Sequence, residues 1–250
     1  MQFDSNGVQI NYEVFGEGRP VVLVHGFASS LDGNWVRTGW VETLKPLRQV
    51  IALDCRGHGE SEKRHDPDAY ASEEMADDVV RLMDHVGVKS ADLFGYSMGA
   101  GISLRIVLRH PERFTSVVLG GIGGNMTRRR GGRPEVGKAM LAKDPKTVSD
   151  PVARGFRQFA EANGADLRAL AAFQQAPRTP IEPSMLGEIT LPCLIVVGED
   201  DALVGSADDL ASAIPGSRLL TIPGRDHLTV VPDQRFKDAV TGFLSALPSE

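Results

Sequence analysis

The chain reads as an α/β protein with a doubly wound, mostly parallel sheet that is interrupted once by a helical insertion. Three observations predict this. Runs such as Val21-Val22-Leu23-Val24, Val50-Ile51-Ala52-Leu53 and Leu194-Ile195-Val196-Val197 are continuously apolar, as strands covered by helices on both faces must be. Between them lie stretches with apolar residues at helical spacing, joined by short connections. From Gly120 to about residue 191 no buried-strand run occurs, and helix-like pieces take its place. A chain of 250 residues with 42% hydrophobic composition can bury a full core. The expectation is one domain, with residues 1–122 and 190–250 as its core and 123–189 as a helical lid.

Val8, Ile10, Tyr12 and Val14 alternate, which suits an edge or antiparallel strand turning at Gly16-Glu17-Gly18. Residues 20–26 form a buried strand ending in Gly, 35–44 a helix stopped by Pro46, and 49–54 the next buried strand. The following helix places Met75, Val79, Leu82, Met83 and Val86 on one stripe, with Ser72 as cap, Glu73 and Glu74 in the first turn and Gly87 at its end. Residues 91–94 are a strand, and Ile102, Leu104, Ile106, Val107 and Leu108 make the next helix apolar nearly all round. A strand at 116–119 precedes the insertion, whose helical pieces are 135–141, 148–163 and 165–175. Strand 192–198, helix 207–214, strand 218–222 and helix 234–247 complete the alternation.

The formal charge of −6 argues against nucleic acid or an anionic membrane as partner. The N-terminus lacks the basic-then-apolar pattern of a signal peptide, and no apolar run approaches the ~18 residues of a membrane span. A soluble, cytoplasmic protein is expected, with Cys55 and Cys193 as reduced, buried thiols and no metal or cofactor. Gly132, Gly137 and Lys138 imitate a phosphate loop, but Ala139 replaces its hydroxyl residue and no strand precedes it. Gly121, Gly123 and Met126 fail the dinucleotide fingerprint, because Met126 stands where its third Gly belongs. Arg128-Arg129-Arg130 reads as a solvated hinge in preference to an anion clamp. Loop-supporting hydrogen bonds are expected of His25 and His58, loop anchoring of Arg56, and surface positions of His65, His85 and His110.

Chemistry concentrates at Gly95-Tyr96-Ser97-Met98-Gly99. Glycines two before and two after Ser97 leave room for a sharp strand-to-helix turn that projects the hydroxyl above the sheet. The Met98 N–H then opens a helix whose dipole favours a developing oxyanion. A serine nucleophile needs a base near neutrality and a carboxylate to orient it. His227, between the last strand and the last helix, is the candidate base; Asp201, just past a buried strand, is the candidate acid, with Asp200 its neighbour and competitor. His25-Gly26-Phe27 supplies a second oxyanion donor, the Phe27 N–H. Apolar lid residues Met140, Phe156, Phe159, Phe173 and Met185 are candidates for the substrate pocket.

In several separate places these residues resemble the α/β-hydrolase superfamily. His25-Gly26-Phe27 is similar to its oxyanion loop, Asp54-Cys55-Arg56-Gly57-His58-Gly59-Glu60-Ser61 to its Asp-x-Arg-Gly-x-Gly-x-Ser loop, and Gly95 through Gly99 to its nucleophile turn. Gly198-Glu199-Asp200-Asp201 resembles its acid loop and Asp226-His227 its histidine loop, although Val204 is followed by Gly205 where family acid loops often reach a Pro. The likeness covers residues 8–125 and 190–247; the insertion matches a lid in position only. It implies the α/β-hydrolase fold and cofactor-free hydrolysis of a small-molecule ester or lactone through an acyl-enzyme on Ser97. Enol-lactonase, carbon–carbon bond hydrolase and perhydrolase chemistry on the same triad stay open, as does a ligand-sensing receptor with little turnover. Branches that use an Asp nucleophile are disfavoured by Ser97.

Overall fold

A computed structural model of the chain describes residues 1–125 and 133–247. The strands are β1 (Gln2–Asp4), β2 (Gln9–Phe15), β3 (Pro20–Val24), β4 (Gln49–Leu53), β5 (Ala91–Tyr96), β6 (Phe114–Gly120), β7 (Cys193–Gly198) and β8 (Arg218–Ile222). They form one sheet in the order β1-β2-β4-β3-β5-β6-β7-β8, with β1 and β2 antiparallel additions to a parallel remainder. The α/β-hydrolase fold is what these strands and their flanking helices build.

The continuous apolar runs are explained by a core on each side of the sheet. Val22 and Val24 of β3 face the side that also holds Ile51, Leu53, Leu93 and Val117. Val21 and Leu23 face the other, with Val50, Ala52, Phe94 and Val118. Helices α2 (Ser72–His85) and α3 (Met98–Arg109) cover the first side, and α1 (Trp40–Leu44) and α9 (Gln234–Ser245) the second. Between them in the chain come α4 (Pro134–Leu141), α5 (Pro151–Ala162), α6 (Leu167–Gln175), α7 (Pro183–Leu186) and α8 (Ala207–Ala213).

Two sequence expectations change. The predicted helix 35–44 is split into a π-helical turn, Asp32–Val36, and α1, with Gly39 at φ 78° between them. Tertiary packing decides this, because Trp35 and Trp40 each bury their rings 4.8 Å from that of Phe94. Ser72 is the first residue of α2 and not its cap; Ala71 stands in the cap position without a side-chain bond. Strand β1 adds to the expected strands; at three residues it is too short for alternation to mark it.

The helices between β6 and β7 carry their own start signals. Asp150 accepts from the Ala153 N–H (2.7 Å) at the head of α5, and Asp166 accepts from those of Arg168 (2.9 Å) and Ala169 (3.0 Å) at the head of α6. The last carbonyls of α4 are satisfied by buried Arg157, which donates to Ala139 O (2.6 Å) and Met140 O (3.0 Å). Phe173 of α6 stacks on Phe27 at 5.3 Å, so this helical layer sits against the loop that follows β3. Arg128, Arg129, Arg130 and Gly132 lie outside the described residues.

Cys55 and Cys193 are free and buried, and burial pushes the Cys193 thiol up to about 12. Among the described residues no helix is long and apolar enough to cross a membrane. No group of three or more His, Cys, Asp or Glu among them could hold a metal ion.

At the opposite end of β5 from Ser97, Asp92 is fully buried. It accepts from Arg19 (3.0 Å), Arg48 (3.2 Å), Thr115 (2.8 Å) and Ser116 (2.8 Å). Removing the carboxylate takes the charged partner from two guanidinium groups and the acceptor from two hydroxyls. Asp92→Ala is therefore expected to lower the unfolding free energy by about 3–5 kcal/mol, measured by urea denaturation.

Candidate active site

Ser97 has φ 54° and ψ −109°, between the end of β5 and the first turn of α3. For a residue with a Cβ this conformation costs about 1–3 kcal/mol and persists only where the surroundings impose it. Here the imposition is visible. A Cβ on Gly99 would lie 2.0 Å from the Val24 carbonyl oxygen, and one on Gly95 would lie 2.3 Å from that of Gly99. The two glycines let α3 press onto the ends of β3 and β5. The Ser97 N–H is held by Gly120 O at 2.8 Å.

The structure brings Ser97, His227 and Asp201 together. His227 Nε2 lies 2.8 Å from Ser97 Oγ, and His227 Nδ1 lies 2.6 Å from Asp201 Oδ2. The other oxygen of Asp201 accepts from the Leu203 N–H at 3.0 Å, and its side chain is fully buried. Asp200 is exposed and contributes a backbone bond, its N–H donating to Arg225 O at 2.9 Å. The histidine loop is pinned twice. Tyr96 OH donates to His227 O, and Trp40 Nε1 to Val231 O at 2.8 Å. Burial, with Asp201 nearby, pushes the Tyr96 phenol well up, so it stays a donor.

His25 and His58 support loops, as the sequence suggests. The Cys55 N–H donates to His25 Nε2 at 2.9 Å, so that nitrogen carries no proton and Nδ1–H donates to Gly26 O at 2.8 Å. Burial lowers the pKa of His25 and keeps this neutral form. Because the carbonyl and amide of a trans peptide point oppositely, the bond on Gly26 O turns the Phe27 N–H to the other side. Among the described residues, neither the Phe27 nor the Met98 amide has a hydrogen-bond partner. Arg56 anchors its loop through Asp78, at 2.7 Å from both oxygens.

Two cavities meet at Ser97 and His227. The first, about 230 Å³, runs past Met98 and Ile102 to Arg105, Phe173 and Arg178. The second, about 370 Å³, is lined by Phe156, Phe159, Leu228 and Val231. Phe156, Phe159 and Phe173 thus border open space. Met140 and Met185 line neither cavity: Met140 is buried where α4 packs on α5 and α6, since the helix turns that face inward.

Sequence reasoning missed Asn34, Arg105 and Arg178. Asn34 accepts the Gly26 N–H at 3.0 Å, which orients the loop, and its Nδ2 is buried without a partner among the described residues. A signal for Arg105 was present, as the one charge in the mostly apolar stretch Ile102 to Leu108. Asn34 sits in a single π-helical turn and Arg178 in an irregular segment, where spacing carries no such contrast.

A family model for the alpha/beta hydrolase fold matches residues 19–176. The chain belongs to the α/β-hydrolase fold family. Within it, the chain is 33% identical over 239 residues to the dihydrolipoyllysine-residue acetyltransferase component of an acetoin cleaving system from Pseudomonas putida, covering 87% of this chain and 61% of that protein. The chain thus spans less than two thirds of that relative. It is 26% identical over 260 residues to a 2-hydroxymuconate semialdehyde hydrolase of Pseudomonas putida, covering 96% and 92% of the two chains. Among solved α/β-hydrolases, the enol-lactonase from Burkholderia xenovorans LB400 superposes with a TM-score of 0.81 at 23% identity, covering 98% of this chain and 100% of that one. The esterase RhEst1 from Rhodococcus sp. ECU1013 superposes at 0.77 with 27% identity, covering 99% and 98%.

The close approach of Gly99 yields a test. Gly99→Ala forces Val24 away and is expected to cost about 1–3 kcal/mol of stability and to lower turnover below the melting transition. Gly242→Ala, where a Cβ meets nothing within 4 Å, should do neither. Thermal melts and hydrolase assays of the two variants check this.

Proposed function

We propose that the chain is a serine hydrolase that cleaves carboxylic esters without a cofactor. The observation that carries the reading is the unbroken line Ser97 Oγ to His227 Nε2 (2.8 Å) and His227 Nδ1 to Asp201 Oδ2 (2.6 Å), starting at a strained turn beside a cavity. Ser97 attacks the ester carbonyl as its proton passes to His227 Nε2. Asp201 holds the imidazole by Nδ1–H and balances the charge it acquires. The tetrahedral oxyanion is met by the two unpartnered amides of Phe27 and Met98, the latter at the positive end of α3. His227 then protonates the leaving alkoxide, which departs as the alcohol. Water repeats the sequence on the acyl-enzyme: His227 takes its proton, the hydroxide adds, and Ser97 leaves with the proton returned. Helices α4 to α7 act in this reading as a lid, with α5 bordering both cavities and α6 the first.

A second reading is hydrolysis of a 2-hydroxymuconate semialdehyde-like compound by the same three side chains, favoured by the relative of that name, which matches 96% of this chain. Parallel assays of such a compound and of p-nitrophenyl butyrate separate the two.

Ser97→Ala is expected to lower kcat on p-nitrophenyl butyrate at least about a thousandfold with the melting temperature little changed. Asp201→Asn should lower kcat by a comparable order, because the amide favours the wrong imidazole tautomer, whereas Asp200→Asn should stay near wild type. An unchanged rate in Ser97→Ala ends the proposal.

A further inference from the structure

Three arginines that the catalytic steps do not use line the first cavity: Arg105, Arg178 and Arg133, the last donating to Leu203 O at 3.1 Å. Arg105 stands on α3 eight residues beyond Ser97, about 12 Å along the helix axis, and Arg178 follows the end of α6; both line the cavity that opens on Ser97 and His227. Neither forms an ion pair among the described residues, and the undescribed residues 126–132 include no Asp or Glu. The Arg178 guanidinium lies 4.2 Å from the Phe173 ring centroid and donates to Phe173 O at 2.9 Å, while its Nε is buried without a partner. Its plane is thereby held before any ligand arrives.

The surrounding charges do not neutralise the pair. Glu73 of α2 acts on Arg105, but its carboxylate also accepts a hydrogen bond from Thr179. Arg109 is engaged with Asp77 at 3.1 Å. Burial, with Arg105 adding like-charge repulsion, lowers Arg178 to about 10. Cations buried in a protein are normally paired, and a guanidinium fork matches a carboxylate with two parallel hydrogen bonds. The second cavity offers the opposite chemistry, with Phe156, Phe159, Val152, Leu228 and Val231 around it.

We propose that the substrate carries a carboxylate, bound by Arg105 and Arg178 in the first cavity, and an apolar group on the other side of the scissile bond, bound in the second. This inference rests on Ser97 being the nucleophile. It divides the substrate at the reacting carbonyl into an anionic half and an apolar half.

Two pairs of esters test it. Monobenzyl glutarate against benzyl pentanoate replaces a carboxylate on the acyl side by a methyl; 5-benzoyloxypentanoate against pentyl benzoate does so on the alcohol side. In one pair the anionic member is expected to show a kcat/KM about tenfold to a hundredfold higher. Arg105→Gln combined with Arg178→Gln should bring that ratio towards one, and a ratio within each preparation is insensitive to how much variant is folded. No anionic preference in either pair, or a preference that survives both substitutions, overturns the proposal. Calorimetry of glutarate on Ser97→Ala reads the arginines without turnover, with binding expected to weaken about tenfold or more when both are replaced. Glutarate binding without cleavage of any ester would sink the esterase reading alone. Ester cleavage without anionic preference or glutarate binding would sink this inference alone.

Discussion

Ser97 keeps a backbone conformation that its own side chain disfavours, and it can do so because α3 is pressed against the sheet at Gly99. The Val24 carbonyl occupies the space a Cβ would need. That contact joins the end of β3 to the start of α3, so the hydroxyl at 97 and the loop beginning at His25 are registered by one backbone approach. The Ser97 N–H, bonded to Gly120 O, ties the same turn to β6. A reactive serine on a mobile loop would lack this alignment; here three adjacent strands impose it.

The polar groups buried around the turn show a second regularity. His25 is held neutral in one tautomer by the Cys55 amide and Gly26 carbonyl, and Asp54 receives the Leu31 (2.6 Å) and Glu60 (2.8 Å) amides. Such groups stabilise the loops because each has a partner. The exceptions are informative. Asn34 Nδ2 and Arg178 Nε are buried and unpartnered among the described residues, and both residues line a cavity that reaches Ser97. Ser72 Oγ, also without a hydrogen bond among the described residues, borders the first cavity, whereas Trp35, His58, Asp77 and Ser103, which each hold a buried atom without one, border neither.

Members of the α/β-hydrolase fold family related to this chain carry names for different reactions, which is consistent with where its two kinds of residue stand. The serine, histidine and aspartate sit on turns anchored to the sheet. Much of the cavity wall comes from α5, α6 and the segment after α6. In this arrangement a change of helical wall alters the substrate without disturbing the hydrogen-bonded line at Ser97.

The sequence alone determined the parallel sheet, because strands covered on both faces must be apolar throughout and these short apolar runs alternate with stretches of helical spacing. It also marked Ser97, His227 and the acid loop, since each sits where a strand ends and a loop begins. Only the tertiary structure decided between Asp200 and Asp201. The two are adjacent and chemically identical, and the difference is that one carboxylate turns inward to His227 while the other faces water. The broken helix at Trp35 and Trp40, the burial of Met140 and the pairing of Arg105 with Arg178 at one cavity were likewise settled in three dimensions. Each depends on contacts between segments far apart in the chain, which local spacing does not encode.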